Sequence, residues 1–289
     1  MRQPISRYLY LMMSAFCPLS KKEIRLKGIG VIMKTKRIYT CEDKVEGIFT
    51  AVYDAWSSRY GHDNIRIEVE TAEGRNMELF SEYTPVKTDM EKAEKVAQSI
   101  IKKISAEAYK MVCNAAWSDA AGKADAVYRF LILGFSMGSQ VVNCLSNEAV
   151  MSIFTMNRSV GYEAHHILGF LRFKLSKDNI LIARLNPKNN ILFLIAPHFS
   201  DRFGSENFII YDEKRKAAVL HRSGYPWVYS DEENLNIEKF GEESEEEEMF
   251  QLLWKTFFDS IAIRERTNPN LQRNNLPLRF RSNMTEFYF

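Results

Sequence analysis

The residues best suited to chemistry lie in the run Ala196-Pro197-His198-Phe199-Ser200-Asp201-Arg202-Phe203, a polar cluster between two apolar stretches. An imidazole titrates near neutrality, so His198 can give or take a proton. Asp201 follows at three residues and Arg202 at four, which on a helical turn puts all three on one face. Asp201 would then orient the imidazole while Arg202 grips an anion. The same side chains equally suit a helix-capping and salt-bridge cluster that ties a helix to a sheet.

A second cluster follows at Asn207, Tyr211, Asp212, Lys214 and Arg215. Lys214-Arg215-Lys216 fills the expected turn between two short strands, where cations protrude and can meet phosphates. Arg172 and Lys174 share one face of an expected strand, and Arg184 on a neighbouring strand extends the patch. Four of the five histidines fall within 165–221. His165 and His166 are adjacent, so on a helix they point about 100° apart and cannot chelate one metal as an i, i+4 pair would. His165 is therefore a candidate for a phosphate or base contact, or a structural histidine. His165, His198 and His221 match no zinc-ligand spacing, and no metal or cofactor is expected.

Other enzyme signatures fail on context. Gly134-Phe135-Ser136-Met137-Gly138 spells G-x-S-x-G, yet it follows a helical apolar run where a nucleophile elbow needs a strand. Gly28-Ile29-Gly30 lacks the third glycine, the strand and the helix of a dinucleotide site, and there is no P-loop. Cys17, Cys41, Cys113 and Cys144 form no CxxC and no cluster motif, which fits reduced thiols in a cytoplasmic protein. Arg264, Arg266, Arg273, Arg279 and Arg281 interleave with Phe280 and Phe287-Tyr288-Phe289, a mixture that suits stacking and backbone contacts on nucleic acid.

Charge locates the patch. The 289 residues carry a net +2, too little to argue for a polyanion partner. Residues 1–32 carry +5, 33–150 carry −2, 151–230 carry +5 and 231–289 carry −6. The second half thus holds a basic stretch, centred on 158–222, beside an acidic one at 231–248. Glu245-Glu246-Glu247-Glu248 sits where a helix dipole favours anions and reads as a solvated helix start, or as a partner-docking or DNA-mimicking surface.

The elements that must hold these residues follow from periodicity. Val45, Ile48, Phe49, Val52, Tyr53 and Trp56 form one helical stripe, and residues 65–70 alternate like a half-buried strand. Thr88 and Glu91 suggest a capping box ahead of a long amphipathic helix reaching residue 111. Further helices are expected near 122–136 and 147–165. Strands are expected at 170–175, 179–185, 207–211 and 217–221, then a helix whose stripe runs from Phe250 to Ile261. The expectation is an α+β fold: a helical N-terminal half packed with an antiparallel β-meander and a C-terminal helix. Residues 33–289 would form a single α+β unit, with a helical lobe at 40–168 and a strand-rich lobe at 169–289.

Residues 1–32 are a leader whose apolar run is too short to span a bilayer and lacks a small-x-small cleavage site. Translation starting at Met33 instead of Met1, an amphipathic appendage and an export signal all fit it. No membrane association is expected.

Several stretches taken in order resemble one family. They are Ile38-Tyr39-Thr40 through Trp56, Glu163-Ala164-His165-His166-Ile167-Leu168-Gly169-Phe170-Leu171-Arg172-Phe173, and the run from Ala196 to Phe203. Ile210-Tyr211-Asp212-Glu213-Lys214-Arg215 and Leu253-Trp254-Lys255-Thr256-Phe257-Phe258-Asp259-Ser260-Ile261-Ala262-Ile263 complete them. Together they are similar to a bacterial family assigned to DNA metabolism or repair, whose own activity is not established. Its members tend to be encoded beside a radical-SAM protein, and some are fused to a uracil-DNA-glycosylase-like domain. The similarity runs from about residue 36 to about 285. His166 and Leu278-Arg279-Phe280-Arg281 depart from it, since the family often has a basic residue at the first and a more aromatic ending at the second.

The resemblance implies a context: DNA as a partner, a radical-SAM protein as a second, and a uracil-DNA-glycosylase-like protein as a third. It also places His165, Arg172, His198, Asp201, Arg202, Asp212 and Arg215 at motif positions. His198 and Asp201 are the candidates for acid–base chemistry, and His165, Arg172, Arg202, Asp212 and Arg215 for nucleic-acid binding. The alternative is a non-catalytic adaptor that docks the radical-SAM protein through 231–248.

Overall fold

The computed structural model describes residues 35–70, 78–231 and 243–287. The leader and most of the acidic stretch, residues 232–242, lie outside them. The fold is mixed α+β, and the chain divides into two compact units between residues 157 and 158.

In the first unit, β1 (Lys36–Cys41) is the central strand of a three-stranded sheet, flanked in parallel by β2 (Ile65–Val69) and β3 (Ser81–Pro85). α1 (Val45–Ser57) crosses from β1 to β2 and buries Ile48, Phe49 and Val52, as its stripe requires. Gly47 is needed at the start of that helix, because a Cβ there would lie 2.6 Å from the Glu42 carbonyl oxygen. The expected long helix is two. α2 (Met90–Lys103) begins at Asp89, whose carboxylate accepts from the Glu91 and Lys92 amides, so Asp89 takes the capping place read for Thr88. α3 (Ala106–Trp117) then restarts at Ser105, which caps the Ala108 amide. α4 (Lys123–Met137) contains Ser136 in its last turn, so no nucleophile elbow exists there. α5 (Glu148–Phe170) follows.

The second unit is built on a five-stranded sheet in the order β4-β5-β6-β7-β8. These are β4 (Lys174–Leu175), β5 (Leu181–Leu185), β6 (Phe208–Asp212), β7 (Ala217–His221) and β8 (Val228–Ser230). The expected antiparallel meander holds for β6, β7 and β8, and for the β4–β5 pair. It fails between β5 and β6, which pair in parallel, Leu181 with Phe208 through Leu185 with Asp212. The cause is α6 (Leu192–Arg202), the crossover helix that parallel neighbours require. Its buried Leu192, Ile195, Ala196 and Phe199 belong to the same core as Phe208, Ile210 and Val219. Phe173 packs edge-on against Phe199, Phe203 and Phe208 and closes that core at the C-terminal end of α6.

The C-terminal helix α7 (Glu245–Ile261) starts at Ser244, which caps the Glu247 amide, and its four glutamates occupy the first turn. A short α8 (Pro269–Asn275) follows. Among the described residues no helix is long and apolar enough to cross a membrane.

Candidate functional site

Parallel pairing brings the C-terminal ends of β5 and β6 together, and two loops meet there. One is residues 186–191, leading into α6; the other is the β6–β7 turn, residues 213–216. Three side chains fix them. Glu163, on the inner face of α5, is 1% exposed and accepts from the Lys188 amide at 3.0 Å and the Asn189 amide at 2.7 Å. The Asn189 side-chain amide adds a third bond at 2.7 Å. Asp212 is fully buried and accepts from the Lys214 and Arg215 amides, which closes the turn and leaves Lys216 in the left-handed region at φ 52°. Arg215 joins the two loops, donating to Asp212 Oδ2 at 3.0 Å, the Pro187 carbonyl at 3.3 Å and the Lys188 carbonyl at 2.7 Å.

Around this frame lie exposed cations. Lys188, Lys214 and Lys216 stand on the two loops, and Arg184 near the end of β5 is also exposed. Arg279 reaches over Glu163 Oε1 at 3.6 Å while covering the Phe280 ring at 4.6 Å. A crevice between α5 and β5 is lined by Glu163, Phe170, Arg184, Pro187, Arg279 and Phe280. Two buried carboxylates hold the backbone, and the cations point outward. Burial pushes the Asp212 carboxyl above its ordinary range, opposed by the charge and hydrogen bonds of Arg215.

The predicted site residues do not converge on His198. His198, Asp201 and Arg202 lie in the second half of α6, and Asp212 and Arg215 lie at the other end of that crossover. Ten residues of helix separate Leu192 from Arg202, roughly 15 Å. The side chains of His198, Asp201 and Arg202 are exposed and make no side-chain hydrogen bond or ion pair among the described residues; His198 meets the Phe199 ring edge and Arg202 covers Phe203. Asp201 therefore does not orient the imidazole here.

Arg172 is not a free phosphate ligand either. It donates to Glu286 Oε1 at 2.7 Å and to the Gly169 carbonyl at 3.1 Å. Burial pushes the Glu286 carboxyl up, but hydrogen bonds from Arg172 and Trp254 prevail and hold it below the ordinary carboxylate range. Lys174 is bound to Glu243 at 2.6 Å. His221 is buried, stacked on Phe208, with its Nδ1 against the Glu206 carbonyl, so it does not join His165 and His198. No group of three or more His, Cys, Asp and Glu among the described residues can hold a metal ion.

His165 is exposed on α5, whereas its neighbour His166 stacks on Phe170 and packs against Phe280. In the Glu163-Ala164-His165-His166 motif the sequence drew attention to the histidines; the structure draws it to Glu163. A lone glutamate flanked by apolar residues on a helix carries that signal, since burying it demands partners.

Residues 121–286 match a family described as a domain of unknown function, DUF4130. The match covers more than half of the chain, and the chain belongs to this family. No curated protein matches it.

Proposed function

We propose that the protein binds DNA through the cations at the C-terminal ends of β5 and β6, within the basic stretch 158–222, and acts in DNA metabolism or repair. One observation carries this reading. Lys188, Lys214, Lys216 and Arg279 are exposed around a frame that Glu163, Asp212 and Arg215 hold rigid. Fixed backbone under exposed cations suits phosphate contacts, which position a protein on nucleic acid without reading its sequence. The resemblance to a DNA-metabolism family supports the same partner and adds a radical-SAM protein and a uracil-DNA-glycosylase-like protein as companions. Arg215 and Asp212 serve the interface by shaping it, and His198 and Asp201 stand apart from it, exposed and unjoined in the second half of α6. The test is a gel shift with duplex and single-stranded DNA at low salt. Lys188→Glu with Lys216→Glu abolishes the shift on this reading; wild type that shifts neither DNA contradicts it.

A second reading has its own observation. α7 buries no residue, and Phe250, Leu252, Leu253 and Phe257 are each more than half exposed beside its acidic first turn. That surface supports the adaptor that docks a radical-SAM protein. Co-purification with that protein would survive Arg202→Ala and be lost on deleting 231–248.

A further inference from the structure

The second half of α5 carries an exposed stripe that the basic frame does not use. Arg158, Tyr162 and His165 follow one another at i, i+4 and i+7, so they share a face, and all three are exposed. Tyr162 is 54% exposed, a large apolar ring left in water. Arg158 covers it at 5.1 Å and donates to its hydroxyl at 3.2 Å, which holds the ring in one orientation. Between Thr155 and Phe170 the only acidic residue is Glu163, and it faces inward, saturated by three donors. The outer face of this half of the helix is therefore aromatic and cationic, and it carries no carboxylate of its own to repel a phosphate.

Around the helix from that stripe comes His166, packed on Phe280, then Arg279 lying over Phe280 and closing the crevice. Planar groups thus alternate with cations from α5 to the edge where Lys188 and Lys216 stand. Duplex DNA keeps its bases stacked on one another and offers such a surface only phosphates. Unpaired bases can lie on the rings and guanidinium planes, since every base presents a flat face to stack.

We infer that the nucleic acid bound here is single-stranded, with bases stacking on Tyr162 and Arg279 and phosphates meeting Lys188 and Lys216. The inference rests on the DNA-binding reading and names its substrate class. Tyr162 is more than half exposed and belongs to none of the hydrophobic cores, so its replacement is expected to leave the fold intact.

The experiment is fluorescence anisotropy of a labelled 12-nucleotide oligothymidine and of a 12-base-pair duplex, each titrated with wild type, Tyr162→Ala, Tyr162→Phe and Lys188→Ala. The oligothymidine is expected to bind at least tenfold tighter than the duplex. Tyr162→Ala should weaken oligothymidine about tenfold and leave the duplex unchanged, Tyr162→Phe should restore binding, and Lys188→Ala should weaken both. Equal affinity for the two DNAs with Tyr162→Ala silent overturns the single-strand inference while DNA binding stands. No binding of either DNA overturns both.

Discussion

Glu163 and Asn189 lie 26 residues apart and are joined by two hydrogen bonds of 2.7 Å, one from the Asn189 backbone amide and one from its side chain. A charged acceptor makes bonds of this kind strong, and burial makes leaving them unmade costly. The pair fixes loop 186–191 onto α5, and the lysines of the proposed interface, Lys188, Lys214 and Lys216, stand on that loop or on the turn Arg215 ties to it.

Removing the carboxylate should loosen the loop before it unfolds the unit. Glu163→Ala removes the acceptor of three hydrogen bonds, two of them buried, and is expected to destabilise by about 3 kcal/mol. Chemical denaturation measures the loss, and hydrogen exchange at the Lys188 and Asn189 amides should speed up more than elsewhere.

Arg215 should behave as a structural residue. Arg215→Lys keeps the charge but cannot span Asp212 and two carbonyls, so it should lower stability by about 2 kcal/mol. Arg215→Met should show a deficit that depends on pH. Asp212 has a raised pKa in the folded state, so its contribution is favourable below the ordinary aspartate range and is lost as pH rises through the raised value. The deficit is therefore largest at neutral pH and shrinks on acidification, which thermal melts across pH 4 to 7 (roughly) would follow.

The C-terminal segment should release in acid. Burial raises the carboxyls of Glu243 and Glu286, but Lys174 with Gln251, and Arg172 with Trp254, outweigh it and depress both. A depressed carboxyl stabilises above its unfolded pKa and loses that contribution as pH falls through the folded one. Trp254 donates to Glu286, so its fluorescence should shift below the ordinary glutamate range, and Glu286→Gln should abolish the dependence.

His62 should make the first unit acid-sensitive at a higher pH. Burial and the charge of Arg129 lower its pKa, and its Nδ1 lies 2.7 Å from the Tyr128 hydroxyl. Stability is full above the ordinary histidine value and falls as pH drops through the lowered one. His62→Gln should flatten that part of the profile, read by Trp56 fluorescence, since the two rings meet at 4.8 Å.

Elements with clean periodicity were legible in the residues, and elements set by partners were not. The stripe from Val45 to Trp56 gave α1, and Asn207 to Tyr211 with Ala217 to His221 gave the β6–β7 hairpin. β3 reads Ser-Glu-Tyr-Thr-Pro, too polar to suggest a strand, and exists because β1 offers it an edge. The parallel β5–β6 pair was hidden because Pro197 interrupts the stretch between the strands, so the helical turn read at residues 198–202 did not extend back to Leu192 as a crossover helix. The site was half legible. The turn cations and Asp212 were found, whereas Glu163 and Asn189 depend on a pairing across 26 residues that no local pattern encodes. Arg172 looked like a phosphate ligand only because its partner, Glu286, lies 114 residues away.

The central claim is that Lys188 and Lys216 meet phosphates. Its most direct test is the slope of log binding constant against log salt for a single-stranded oligonucleotide, in wild type and in Lys188→Ala/Lys216→Ala. On a single strand each phosphate that no longer meets a lysine should flatten the slope by about 0.7, so the double variant should fall short of wild type by about 1.4. A wild-type affinity indifferent to salt, or a slope the double variant leaves unchanged, would contradict it.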